Sequence, residues 1–136
     1  MAEVWRRSAF TAYADIFPAD APEPTLESMI EQLEPADSLV AVDDTRIVGL
    51  VHPHDGWLTH LYVDPTHWGR GIGARLHDAA LDQLRADGCT RASLWVLRDN
   101  APARAMYERR GWRLTDLTRW VYEPGGVYDV HYVRDL

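Results

Sequence analysis

The chain has 136 residues, 46% of them hydrophobic, with six Trp, one Cys and a formal net charge of −7. That length and apolar content fit a single domain, residues 1–136, with a substantial core. The acidic balance argues against a nucleic-acid partner, and a lone Cys89 cannot close an intramolecular disulfide, which fits a cytoplasmic chain. No N-terminal stretch joins a basic start to an apolar run, and no apolar run approaches the ~20 residues that cross a bilayer, so neither a leader nor a membrane partner is expected.

Residues 2–17 carry Val4, Trp5, Ala9, Ala12, Tyr13 and Ile16 at helical spacing, and Pro18 ends the run. Thr25 is an N-cap candidate for a second helix carrying Leu26, Met29, Ile30 and Leu33, which Pro35 stops. Three strands follow, Ser38–Val42, Arg46–His52 and Trp57–Val63, the first two joined at Asp43 and Asp44. A helix over Arg70–Asp87 places Ile72, Leu76, Ala80 and Leu84 inward, with Arg75, His77, Asp78, Asp82 and Arg85 mostly on other faces; Gly88 suits its C-terminal stop. Cys89 between that stop and the next strand reads as a small packing residue. Arg91–Leu97 is a strand, Ala101–Arg110 a short helix with Pro102 in its first turn, and Trp112–Tyr122 and Val127–Arg134 are strands around Pro124, Gly125 and Gly126. The predicted order is ααβββαβαββ.

The most informative stretch is WLTHLYVDPTHWGRGIGARL, residues 57–76. An apolar strand meets Asp64-Pro65, then Gly69, Gly71 and Gly73 precede an amphipathic helix. Glycine lets backbone approach a ligand, and the unpaired N–H groups and dipole at a helix start attract anions, so this loop points to a phosphorylated ligand. A P-loop is excluded because no Lys follows the glycines. Gly69, Gly71 and Ala74 match G-x-G-x-x-G/A formally, with Asp99 near the next strand end, but five residues including Pro65 separate Val63 from Gly69, unlike a Rossmann turn.

The same stretch resembles the acyl-CoA signature of the GNAT superfamily of N-acetyltransferases, [QR]-x-x-G-x-[GA] on a strand–loop–helix. Gly71 and Gly73 stand at its glycine positions and Trp68 at the position of its Gln or Arg. Downstream, SLWVLRDNAPARAMYERRGW resembles the family's next strand and helix, with Asn100, Tyr107, Gly111 and Trp112 in the family's order. The likeness is good over about residues 38–134 and looser before them. It implies a mixed α/β fold whose mostly antiparallel sheet splays between the 57–63 and 91–97 strands, and an enzyme that moves an acetyl group from acetyl-CoA to a small-molecule or peptide amine by direct attack. The family usually begins with a strand, which this chain lacks or which an upstream start would supply. Ser38–Val42 would then be a bare sheet edge, and pairing of its apolar backbone with a second copy would give a homodimer.

The resemblance also assigns residues. Backbone groups of Leu61, Tyr62 and Val63 would hold the pantetheine arm, one N–H polarising the thioester carbonyl. Trp68, Gly69, Arg70, Gly71, Ile72, Gly73 and Ala74 would cradle the pyrophosphate, and Asn100, otherwise a helix cap, would add a contact to CoA. Tyr107, otherwise a core aromatic, would protonate the departing thiolate. No base is assigned: Trp57 and Thr59 face the site but cannot serve, and strand alternation turns His60 away. His52 and His54 lack a third ligand in a recognisable spacing, and no metal is expected. Trp5, Tyr13, Trp57 and Trp120 are candidate acceptor walls. A non-catalytic acyl-CoA-binding module, and a small dinucleotide-binding domain, are the alternatives.

Overall fold

The computed structural model describes residues 1–23 and 37–136; the helix expected over residues 25–33 lies outside the described residues. The described elements are α1 (Ala2–Tyr13), β1 (Leu39–Asp43), β2 (Arg46–His54), β3 (Trp57–Val63), α2 (Ile72–Ala86), β4 (Arg91–Leu97), α3 (Ala101–Arg109), β5 (Arg113–Tyr122) and β6 (Val127–Asp135). Short 3-10 turns sit at Pro65–His67 and Glu123–Gly125. All of the strands expected from the sequence are present, and α1 stops short of Ile16.

The described strands form a six-stranded sheet in the order β1-β2-β3-β4-β6-β5. Every neighbouring pair is antiparallel except β3 and β4, which run parallel and meet only at Trp57 and Ser93. Beyond that pair the two strands separate, as the family likeness implies. A single parallel contact is not the doubly wound sheet of a dinucleotide fold, so the alternative reading on Gly69, Gly71 and Ala74 fails on topology.

The two faces of the sheet carry different layers. Val51, Leu58, Leu94, Val96, Val130 and Tyr132 face α2 and α3, where Leu76, Ala80, Leu81, Leu84, Tyr107 and Trp112 complete the main core. Removing such a set of side chains from water supplies most of the drive for folding, at roughly 25 cal/mol per Å². Gly49 lets α2 approach β2: a Cβ there would come within 2.8 Å of Leu76 Cδ1. On the other face Leu50 and Tyr62 receive α1 through Val4, Trp5 and Ala9.

Two expectations are corrected here. His77 does not lie on an outer face of α2 but is fully buried. Its Nδ1 meets Asp78 Oδ1 at 2.8 Å and its Nε2 accepts from Trp112 Nε1 at 2.9 Å, which makes burial of the imidazole tolerable. His60 is not turned to the far face by alternation. Leu50 faces Tyr62 and His52 faces Thr59, so β3 carries one extra residue there, and His60 takes φ 53. This bulge puts its ring 4.6 Å from that of Trp5, on the α1 side.

Candidate active site

The gap between β3 and β4 is built by the bulge and by the glycine loop below it. The Asp64 N–H donates to the Val48 carbonyl at 2.7 Å, which fixes the phase of the β2–β3 ladder. Because antiparallel bonding alternates, Tyr62 turns its N–H and C=O toward β2, while Leu61 and Val63 turn theirs toward the gap. Tyr62 is therefore not a backbone contact for an arm lying in the gap; it brings its side chain instead. The Val63 carbonyl is also occupied, accepting from Ser8 Oγ at 2.6 Å and Trp68 Nε1 at 2.7 Å. Among the described residues, alternation leaves the Leu61 N–H and C=O and the Val63 N–H turned toward the gap.

The loop then turns along the start of α2. Asp64 is buried, caps the Pro65–His67 turn through Thr66 and pairs with Arg7 of α1. Burial raises its carboxyl, but the Thr66 bonds and the Arg7 and His67 charges outweigh this and hold it below the usual carboxylate range. Gly69 and Gly71 follow with φ 77 and 78, and Gly71 is the N-cap of α2. Side chains avoid that conformation, and a Cβ on either glycine would meet nothing within 4 Å. The space above the first N–H groups of α2 is thus open, as a pyrophosphate cradle requires. Arg70 is exposed beside it, and Ile72, Gly73 and Ala74 form the first turn. The residues present fit the phosphorylated ligand expected from the sequence.

Tyr107 lies in the core on the α3 side of the sheet and interacts electrostatically with Tyr62 of β3 and Tyr13 of α1. Arg104 and Glu108 of the same helix both bond the buried Tyr132 hydroxyl, at 2.9 and 2.6 Å, which pins α3 to β6. The Tyr107 ring packs edge-on to Trp112 at 5.9 Å and is buried. Burial, and then the neighbouring Tyr62, push its hydroxyl well above the ordinary phenol range, so it keeps its proton. Asn100 caps α3, its Oδ1 accepting from the Ala103 N–H at 3.4 Å.

The α1 face of the sheet supplies the other wall. Trp57 and Trp95 lie across the parallel pair with centroids 6.2 Å apart and planes 12° from parallel. His131 stands 5.0 Å from Trp95 and bonds Thr115 Oγ1 at 2.8 Å. The Arg119 guanidinium lies 4.7 Å over Trp95 and its Nε donates to Asp129 Oδ2 at 2.8 Å. The Tyr13 and Tyr62 hydroxyls meet at 3.1 Å. Burial, followed by Tyr62, Tyr107 and Asp129, raises the Tyr13 hydroxyl well above its ordinary value.

Of the four expected acceptor walls, Trp57 lies on this trough, and Trp5 and Tyr13 border it through Tyr62. Trp120 does not: it pairs with Tyr128, whose ring packs with the α2 and α3 core, so it belongs to the opposite face. Trp95, Arg119, Asp129 and His131 were missed. A signal existed, since Asp129 and His131 occupy alternate positions among the otherwise Val and Tyr residues of 127–133 and must share a face.

The comparisons with known proteins bear on this arrangement. Residues 6–112 match the sequence model of the Acetyltransferase (GNAT) family. The chain is 55% identical over 51 residues to the mycothiol acetyltransferase of Beutenbergia cavernae, covering 38% of this chain and 17% of that one. It is 31% identical over 113 residues to the L-2,4-diaminobutyric acid acetyltransferase of Nocardia farcinica, covering 75% of this chain and 58% of that one. The chain thus spans less than two thirds of either relative. The fold is similar to that of PaiA N-acetyltransferase from Thermoplasma acidophilum in complex with coenzyme A, with TM-score 0.72 and 20% identity over 99% of this chain and 90% of the other.

Proposed function

The chain belongs to the GNAT family of acetyltransferases, and we propose that it transfers an acetyl group from acetyl-CoA to an acceptor amine by direct attack within a ternary complex. The observation that carries this reading is the parting of β3 from β4 directly above a helix whose start is opened by Gly69 and Gly71. A phosphate end held at α2 leaves an extended arm to lie in the gap, where the Leu61 N–H and C=O and the Val63 N–H face it.

Acetyl-CoA supplies the activated acyl carbon and a thiolate leaving group. The chain supplies the rest. Gly69, Gly71, Ile72, Gly73 and Ala74 present N–H groups to the pyrophosphate, Arg70 adds charge, and Asn100 adds a contact from its cap. The Val63 N–H, aimed into the gap, polarises the thioester carbonyl. Tyr107 gives the sulfur a proton. Positioning of the two substrates provides most of the rate gain. The acceptor is a small-molecule or peptide amine entering over Trp57, and the reaction is placed in the cytoplasm, in keeping with the lone Cys89. Among the described residues no helix is long and apolar enough to cross a membrane.

Thermal shift with acetyl-CoA and with NAD, followed by thiol release with an amine panel, tests the reading. The panel holds L-2,4-diaminobutyric acid, an arylalkylamine, an amino acid and a peptide N-terminus. Stabilisation by acetyl-CoA alone, with amine-dependent thiol release, is expected. Stabilisation without release from any amine would leave an acyl-CoA-binding module, and stabilisation by NAD would overturn both.

A further inference from the structure

We propose that Asp129 is the base that takes the proton from the acceptor ammonium, an inference that rests on the transferase reading above. Asp129 faces Leu97, the last residue of β4, at the end where β3 has already parted from it. Its side chain lies on the α1 face, with Trp95 and His131, whereas Tyr107 belongs to the α3-side core and interacts electrostatically with Tyr62 and Tyr13. The acid and the base therefore stand on opposite sides of one opening in the sheet. An acyl arm passing through it would present its sulfur toward Tyr107 and its carbonyl toward the Trp57 trough.

The chemistry of the carboxylate suits the task. Asp129 is 6% exposed, and Arg119 holds one of its two oxygens. Among the described residues the groups facing it are Arg119 from β5, Tyr62 from β3, Tyr13 from α1 and His131 on its own strand. Burial raises its carboxyl while the Arg119 bond and charge lower it, and burial wins, so it is a stronger base than an exposed Asp. His60 is nearer the bulge but is a poorer choice. Burial and His52 depress it to about 4, and its ring is packed on Trp5. His131 is depressed by burial too, and is held by Thr115.

The step balances without a further reactant. Asp129 takes one proton from the ammonium, and the nitrogen lone pair forms the C–N bond to the acetyl carbon. The C–S bond breaks with its electron pair going to sulfur, which takes the Tyr107 proton. The second amine proton leaves with the collapse and restores Tyr107 through water, and Asp129 releases its proton to solvent.

The test compares two acceptors, 2-phenylethylamine, protonated at neutral pH, and hydroxylamine, largely unprotonated there, with the uncatalysed reaction subtracted. In Asp129→Asn, kcat/KM for 2-phenylethylamine should fall at least a hundredfold and lose its acid limb, while that for hydroxylamine stays within about threefold. Acetyl-CoA affinity by calorimetry should also stay within threefold, which reports the fold independently of turnover. Asp129→Glu should restore part of the loss. Equal losses with both acceptors, or none with either, would overturn the assignment while leaving the transferase reading intact. A wild-type protein that acetylates no amine of the panel above, these two included, would remove both. Should Asp129→Asn not fold, Arg119→Met carries the test: loss of the cation moves the acid limb for 2-phenylethylamine to higher pH and leaves hydroxylamine unmoved, and an unmoved limb would overturn the proposal.

Discussion

The indole of Trp68 donates from Nε1 to the carbonyl of Val63 at 2.7 Å, tying the glycine loop to the end of β3. The bond explains how a residue other than Gln or Arg serves at this position. We propose that Trp68 serves without reaching the ligand, by fixing the backbone expected to meet it. Ser8 shares the same carbonyl, so the loss of the indole leaves Val63 satisfied. Trp68→Phe is therefore expected to cost no more than about 1.5 kcal/mol in urea unfolding, yet to weaken acetyl-CoA binding roughly three- to tenfold by loosening the loop. Unchanged affinity in calorimetry would show that the tether has no part in the site.

The cradle itself is tested at Gly71. Gly71→Glu places a side chain on a residue at φ 78 and a negative charge where the pyrophosphate is expected. The backbone strain should destabilise the protein by about 1–2 kcal/mol, leaving it folded, while CoA binding is lost. A folded mutant that binds CoA with wild-type affinity would remove the cradle from the proposal.

Tyr107→Phe keeps the ring against Trp112 and removes the proton. We expect kcat to fall roughly ten- to a thousandfold with CoA affinity retained. Since burial raises the Tyr107 hydroxyl well above the phenol range, it stays protonated through neutral and mildly alkaline pH. The wild-type rate should accordingly show no alkaline limb from this group below about pH 10. A wild-type kcat in the mutant, with chemistry rate-limiting, would exclude it.

His60 gives a stability signature. Its folded value is depressed from 6.5 to about 4, so the unfolded chain binds the proton more tightly. Its contribution is complete above pH 6.5 and is lost as pH falls toward about 4. His60→Phe should flatten the fall in Tm across that window relative to wild type, with His77 and His131 retaining their own smaller slopes in the same direction. Identical slopes would show that the ring is not shielded as described.

We propose a homodimer built on the edge of β1. Among the described residues no strand pairs with its outer side, and Val40 and Val42 are 41% and 58% exposed. Light scattering should report a dimer, and Val40→Lys a monomer. The other edge, β5, exposes Leu114, Leu117, Trp120 and Val121, so Trp120→Lys is the control. A dimer broken by that change instead would place the seam on β5, and a monomeric wild type would refute the dimer.

The sequence alone determined the elements and the local conformations of the proposed cradle. Period-2 and period-3.6 patterns located every described strand and helix, because each buries one face and its composition must follow. Gly69, Gly71, Asn100 and Tyr107 were legible because their roles are local: a turn, a cap, a place on one short helix. What the chain order could not supply was which strands become neighbours. Insertion of β6 between β4 and β5 brings Asp129 and His131 beside Trp95, across more than thirty residues of sequence. The extra residue in β3 resets alternation and swings His60 to the α1 face, and only the ladder with β2 reveals it. Trp120 fell on the wrong wall for the same reason, since the face of an edge strand is fixed by its partner's register. Local conformational preference is written along the chain, whereas the meeting of side chains from distant strands is decided by the sheet that joins them.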